Sequence, residues 1–248
     1  RTKNQEPRTV SRINIAVIFL QNLIFYTLFF AATIVLVPIL TLLIFVVAIF
    51  RPKRVVMRRV RRAISWFGKV VLRCGWPFVR VEYKDLAPRE KDGPFIFVCN
   101  HRSASDPPLM AVLPFECVQI VNVWPFKLPL YGLIAKIAGY LSVHEMPLEG
   151  FFDRVGLLLS QGVCIIAFPE GTRSASREMS PFTSSIFRAA QKHDAKIVPL
   201  AIAGNEDIPH KGSVVLHPGR IRIHKLPVVD CRKYRDEPVI KLKNRVRE

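Results

Sequence analysis

Between Ile13 and Phe50 the chain carries no charged residue of either sign. That absence excludes the segment from a soluble core. A hydrocarbon layer takes about 20 apolar residues per helical crossing, so this run is too long for a simple span and just short of two. Acidic residues are also scarce: 19 Asp and Glu against 37 Lys and Arg leave a formal charge of +18, which calls for an anionic partner. The five cysteines, Cys74, Cys99, Cys117, Cys164 and Cys231, are odd in number and form no Cys-x-x-Cys pair. This excludes a zinc site and a disulfide framework as readings and leaves reduced, buried thiols facing the cytosol. Internal repeats and low-complexity tracts are absent. So is a small-residue cleavage site ahead of the next basic run, which does not fit a cleaved signal peptide.

Two membrane geometries compete for the apolar run: one long tilted or kinked helix, or a helical hairpin entering and leaving on one face. Pro38 lies inside it and is expected to kink or break the helix. Arg1, Lys3, Arg8 and Arg12 precede the run, and Arg51, Lys53, Arg54, Arg58, Arg59, Arg61 and Arg62 follow it. With both ends basic, the positive-inside tendency favours the hairpin, with both ends cytoplasmic.

Nucleic acid is the usual partner of so basic a chain. Here, however, the charge begins where the apolar run ends. Residues 54–72 interleave the arginines with Val55, Val56, Val60, Ile64, Phe67, Val70 and Val71 at helical spacing. This pattern predicts an interfacial amphipathic helix drawn to anionic lipid headgroups, and no nucleic-acid partner is expected. The bland alternative is a solvated cationic face that only fixes topology. The chain thus divides into a membrane-anchoring segment at 1–52, a basic interfacial helix at 53–75 and a domain at 76–248.

From residue 76 short apolar runs alternate with helical patterns. Strands are predicted at 78–83, 95–99, 117–121, 140–143, 163–168, 197–203, 214–216 and 221–223. Helices are predicted at 107–113, 129–138, 150–161 and 181–193, with a modest one near the C-terminal end of the sequence. The alternation implies an α/β fold, a mixed sheet flanked by helices, preceded by the membrane-embedded segment.

Two blocks carry chemistry. Asn100-His101-Arg102-Ser103-Ala104-Ser105-Asp106 begins where the run 95–99 ends, the place where open α/β sheets hold ligands. Histidine is the only side-chain type whose unperturbed pKa lies near neutrality, so His101 can take a proton from a hydroxyl. Asp106 is near enough along a turn to hold the other ring nitrogen, giving the base half of a catalytic triad with the substrate as nucleophile. Spacing alone equally fits a structural His–Asp pair. Asn100 and Ser103 add polar groups to the same loop, as substrate contacts or as turn formers.

Phe168-Pro169-Glu170-Gly171-Thr172-Arg173-Ser174 follows a second strand-like run. Gly171 permits a sharp turn, Arg173 offers a guanidinium fork for phosphate, and Thr172 and Ser174 add hydroxyls. Glu170 either binds a substrate hydroxyl or fixes Arg173.

Asn-His-x4-Asp followed by Phe-Pro-Glu-Gly-Thr-Arg-Ser closely resembles the membrane-bound glycerolipid acyltransferases, particularly the 1-acylglycerol-3-phosphate (lysophosphatidate) acyltransferases. The resemblance runs from about Phe78 to Ile223, and Ile197-Val198-Pro199-Leu200-Ala201-Ile202 looks like a further block of that family. It implies that His101, oriented by Asp106, deprotonates the free hydroxyl of a lysophospholipid. That oxygen then attacks the thioester of acyl-CoA or acyl carrier protein, without metal or cofactor. Asn100, Ser103, Glu170, Gly171, Thr172, Arg173 and Ser174 would form the substrate site, with Glu170, Gly171, Thr172 and Arg173 around the glycerol phosphate.

The chain departs from the family pattern twice. The Lys expected before Pro129-Leu130-Tyr131-Gly132 falls near Asn122, and an expected Asp-Arg pair falls on His144-Glu145. A usual Phe-Lys-x-Gly reads Phe182-Thr183-Ser184-Ser185. Arg154 or Lys127 is available to compensate. The resemblance implies 1-acylglycerol-3-phosphate as acceptor, giving phosphatidic acid. The missing cations keep open a zwitterionic lysophospholipid, a lyso-aminolipid or glycerol 3-phosphate, and a non-enzymatic membrane scaffold or nucleic-acid binder is the rival from another class.

Overall fold

The computed structural model describes residues 15–88, 90, 92–127, 129–142, 144, 146–173 and 178–248. The apolar run forms one helix, α1 (Ile15–Phe50), which continues through Pro38. The hairpin expected within 13–50 is therefore not formed. Proline removes one N–H from a helix interior, and a long apolar helix tolerates that loss. The reversal comes afterwards, at Arg51-Pro52, where Pro52 keeps the preceding residue out of the helical region. Helix α2 (Lys53–Cys74) then packs back on α1. At 1.5 Å per residue α1 is about 54 Å long, and Phe19, Ile34, Phe45 and Ile49 are all exposed along it.

Side chains of α1 fasten it to the segment 214–216. Asn22 Nδ2 donates to the carbonyl of Leu216 and Asn22 Oδ1 accepts its N–H, both at 2.9 Å, while the Tyr26 hydroxyl donates to the carbonyl of Val214.

Among the described residues seven strands form one sheet: β1 (Val79–Asp85), β2 (Phe95–Cys99), β3 (Cys117–Gln119), β4 (Cys164–Ala167), β5 (Lys196–Ala203), β6 (Gly219–Lys225) and β7 (Val229–Asp230). Their order is β1-β6-β5-β2-β4-β3, with β7 beside β5. Neighbours β3/β4, β4/β2, β2/β5 and β1/β6 are parallel, whereas β6 and β7 run antiparallel to β5. The sheet is mixed, as the sequence pattern implies.

β2 lies at its centre and is buried throughout. Side chains alternate across a strand. Ile96 and Val98 join a core with α5 (Leu148–Ser160), α6 (Ser185–Lys192) and α7 (Val239–Arg247). Phe95, Phe97 and Cys99 face the other side, where they meet α3 (Asp106–Leu109) and the 3-10 turn Met110–Val112.

Several sequence boundaries shift for local reasons. The helix expected at 107–113 is split into α3 and the 3-10 turn, with Pro107 and Pro108 in the first turn of α3, where no N–H is needed. The helix expected from 181 starts at Ser185 because the Thr183 N–H is held by the carbonyl of Pro169 at 2.8 Å. α4 (Pro129–Ala138) has the expected bounds. The strand expected at 140–143 reduces to one bridge, Ile120 with Leu141, and Val143 lies outside the described residues. Residues 214–216 form no strand; side chains of α1 take their backbone groups instead.

α2 reaches the site side of the molecule. At Gly68 an added Cβ would come within 2.7 Å of the Ala111 Cβ, so the helix seats closely on the turn that follows α3. At its start Arg54 and Arg61 converge on Glu116, at 2.6 and 2.8 Å, and Arg61 Nε donates to the carbonyl of Ala138 at 2.7 Å. Burial alone would raise the Glu116 carboxyl, but hydrogen bonds and charge from Arg54 and Arg61 outweigh it and hold it below its ordinary value.

Candidate active site

β2 and β4 are parallel neighbours, with Val98 opposite Ala167. The segments that follow them therefore leave the same edge of the sheet. One carries His101 and the other carries Glu170 to Arg173.

His101 Nδ1 lies 2.7 Å from Asp106 Oδ2. Asp106 is wholly buried at the start of α3. Its Oδ2 also accepts the main-chain N–H groups of Arg102 at 2.7 Å and Ser103 at 2.9 Å. Its Oδ1 accepts from Asn205 Nδ2. Three N–H donors besides the ring thus already point at this carboxylate. An ionised carboxylate only accepts, so Nδ1 carries the ring proton and Nε2 presents its lone pair. The ring rests on Phe168, with centroids 4.7 Å apart, and the side chain keeps 18% of its surface open. An imidazole held at Nδ1 and open at Nε2 can act as a general base.

Cys99 lies just below this pair and is no second nucleophile. Burial pushes its thiol well above the ordinary value, and the charge of Asp106 pushes it the same way.

The two blocks are joined directly. Glu170 is buried, its Oε1 accepts the His101 N–H at 2.7 Å, and its Oε2 accepts the Ser180 N–H at 2.8 Å. The residue thus ties the second block to the first, with each carboxylate oxygen engaged by a main-chain N–H. It does not hold Arg173.

Asn100 and Ser103 turn inward in the same way. Asn100 Nδ2 donates to the Ile202 carbonyl at 2.9 Å and its Oδ1 accepts the Ile202 N–H at 2.8 Å, which fixes the loop to β5. The Ser103 hydroxyl, fully buried, donates toward the carbonyls of Ile208 and Pro209. In this structure these three side chains, expected as substrate contacts, make the hydrogen bonds that hold the loop.

Gly171 and Thr172 are exposed. Gly171 has φ +73° and nothing within 4 Å of an added Cβ, so it is backbone conformation rather than space that calls for glycine. The Arg173 guanidinium makes no hydrogen bond or ion pair among the described residues, while its carbonyl accepts from Lys211 Nζ at 2.7 Å. Ser174 lies outside the described residues, as does Glu145. Lys127, in the 3-10 turn Trp124–Lys127, and Arg154, on α5, are both exposed.

The sequence pattern gives the segment 205–217 no role beyond a strand at 214–216, and yet it meets both loops of the site. Asn205 donates to Asp106, and Glu206 accepts from Arg102 at 2.5 Å. Ile208 and Pro209 accept from Ser103, Lys211 reaches Arg173, and Val214 and Leu216 bind α1. The one local signal is the Gly204-Asn205 step where β5 ends.

A family model described as Acyltransferase matches residues 79–203. Among curated proteins, the chain is 29% identical over 174 residues to the 1-acyl-sn-glycerol-3-phosphate acyltransferase alpha of Ovis aries, covering 68% of this chain and 61% of that protein. It is 28% identical over 174 residues to the protein of the same name from Homo sapiens, covering 68% and 62%. The chain thus spans about three-fifths of the length of these relatives. Among solved structures, the 1-acyl-sn-glycerophosphate (LPA) acyltransferase PlsC from Thermotoga maritima superposes with a TM-score of 0.76 at 24% identity, covering 94% of this chain and 92% of that one. That likeness establishes the fold.

Proposed function

Because the chain belongs to the Acyltransferase family, we propose that it moves a fatty acyl group from a thioester to the free hydroxyl of a membrane-borne lysophospholipid, 1-acylglycerol-3-phosphate, giving phosphatidic acid. The observation that carries this reading is the His101–Asp106 pair, fixed at Nδ1 at 2.7 Å and open at Nε2. His101 Nε2 takes the hydroxyl proton as the substrate oxygen attacks the thioester carbonyl. The tetrahedral intermediate then collapses, the C–S bond breaks, and the imidazolium returns the proton to the departing thiolate. Asp106 stabilises the imidazolium between the two steps. Neither metal nor cofactor enters the scheme, because the thioester is already activated.

Arg173 is the phosphate contact in this scheme. Its guanidinium is uncommitted among the described residues, and a planar fork suits a phosphate monoester. Lys211 brings an ammonium to the same turn, which supplies positive charge beside Arg173 in a chain that lacks the cations expected at Asn122, Glu145 and Thr183. Gly171 and Thr172 border the acceptor.

The exposed apolar surface of α1 and the arginines of α2 support a site at a bilayer rich in anionic lipid, and the basic flanks of α1 support a catalytic domain on the cytoplasmic face. A lysolipid then reacts without leaving the membrane, which avoids exposing its chain to water at about 0.8 kcal/mol per CH₂. The acyl thioester, on coenzyme A or acyl carrier protein, approaches from the aqueous side, where its acidic groups meet a cationic surface.

A panel of lysophospholipids in vesicles, with a labelled acyl thioester, tests the acceptor. Labelled phosphatidic acid from 1-acylglycerol-3-phosphate is the expected product. Faster acylation of a zwitterionic lysolipid would overturn the headgroup assignment.

A further inference from the structure

β5 ends at Ala203, and Gly204 follows with φ +84°. A Cβ at Gly204 would lie 2.2 Å from the carbonyl oxygen of Arg220 on β6, so the chain can turn this tightly over its neighbour only at a glycine. The turn sends Asn205 inward, where it is fully buried, with Nδ2 donating to Asp106 Oδ1. A carboxylate has only acceptors to offer, so the amide nitrogen must face it. Asn205 Oδ1 is thereby turned away and meets no donor among the described residues. An amide retained only to knit the fold would be satisfied at both ends, because a buried polar atom without a partner is costly. This one is satisfied at the end that faces Asp106.

Resting on the acyl-transfer reading above, we propose that Asn205 is a positioning residue of the reaction, whose side-chain amide fixes the Asp106 carboxylate and thereby sets how strong a base His101 is. The two oxygens of Asp106 are unequally served. Oδ2 takes His101 Nδ1 and two main-chain N–H groups, whereas Oδ1 takes Asn205 alone among the described residues. Without that donor, Oδ1 keeps its full charge in a dry site. The carboxylate then pulls harder on the Nδ1 proton, stabilises the imidazolium and withdraws free base at neutral pH. It is also freer to rotate away from the ring. The other titratable groups around the pair are Cys99, Glu170 and the Arg102–Glu206 ion pair, and the Asn205 variants leave all of them in place.

The test is the pH profile of kcat and KM in lipid vesicles with 1-acylglycerol-3-phosphate and acyl-CoA, for Asn205→Ala, Asn205→Ser and Asn205→Asp. Asn205→Ala is expected to move the acid limb upward by about one pH unit. It should also lower kcat at neutral pH by about ten- to a hundredfold, the worth of one hydrogen bond to a charge, with KM for both substrates unchanged. Asn205→Ser keeps a donor and should restore the limb and most of the rate. Asn205→Asp keeps the shape but sets a second carboxylate against the first, and should move the limb at least as far as Ala. A purely structural role would lower the yield of active protein and leave the limb where it is. An unmoved limb in the Ala and Asp variants, or in Asp alone should Ala not fold, overturns the proposal. His101→Ala is run alongside: a dead His101→Ala with unmoved Asn205 profiles removes only this inference, whereas an active His101→Ala removes the acyl-transfer reading beneath it.

Discussion

The carboxylate of Glu170 accepts the main-chain N–H of His101 at 2.7 Å, across 69 residues of sequence. One hydrogen bond thus joins the segment that follows β4 to the one that follows β2 and sets the height of the histidine above the sheet. The second oxygen of Glu170 takes the Ser180 N–H. These two contacts give Glu170 a role in assembling the site.

Glu170→Gln should therefore act on stability as well as on rate. An amide presents one acceptor and one donor where two acceptors are needed, so one N–H loses its partner and faces another donor. The expected loss is about 1–3 kcal/mol of unfolding free energy, with a fall in kcat. Denaturant unfolding checks it. A rise in KM for the acceptor at unchanged stability would point back to direct substrate binding.

Arg173 makes the opposite prediction. Its guanidinium holds no part of the fold among the described residues, so Arg173→Ala should leave stability within about 0.5 kcal/mol of wild type. It should raise KM for 1-acylglycerol-3-phosphate about ten- to a hundredfold, as loss of a hydrogen bond to a charged group requires. Arg173→Lys should recover only part, since a point charge does not replace the fork. Steady-state kinetics against acceptor concentration separates the two parameters.

Glu116 governs the acid side of stability. Its carboxyl is held below the ordinary value of 4.5, so it contributes stability above that value, and the contribution is lost as pH falls through the depressed folded value. Glu116→Gln should cost about 3 kcal/mol at neutral pH, since it leaves the buried Arg61 without a counter-charge. The gap between variant and wild type should narrow on acidification. Urea unfolding at several pH values measures it, and a gap independent of pH would contradict the ion-pair account.

Asn22 tests whether α1 is fastened to the catalytic domain. Asn22→Ala removes the acceptor of the Leu216 N–H and the donor to its carbonyl. Exchange of the Leu216 amide with deuterium should quicken roughly tenfold, as loss of about one net hydrogen bond implies. Exchange in β2 should be unaffected.

What the sequence made legible follows the reach of each signal. β2 and α4 have the expected bounds because an uninterrupted apolar strand and an apolar helix ended by Gly139 are local patterns. His101, Asp106 and the Glu-Gly-Thr-Arg turn were readable because their residue types carry chemistry. The contacts of Asn100, Ser103 and Glu170 were not, since each side chain has a partner 69 to 106 residues away in sequence that no spacing reports. Val214-Val215-Leu216 resembles a strand by composition, but Asn22 and Tyr26 take its backbone groups and no ladder forms. Asn205 follows the same rule, since only the fold brings the end of β5 beneath Asp106.

Acyl transfer through His101 is tested most directly by one measurement: labelled acyl-CoA and 1-acylglycerol-3-phosphate in vesicles, with free thiol and labelled phosphatidic acid followed together, for wild type and His101→Ala of equal stability. The account predicts that both products form in equal amounts with wild type and that neither forms above background with the variant. Sustained formation of phosphatidic acid by His101→Ala would contradict it.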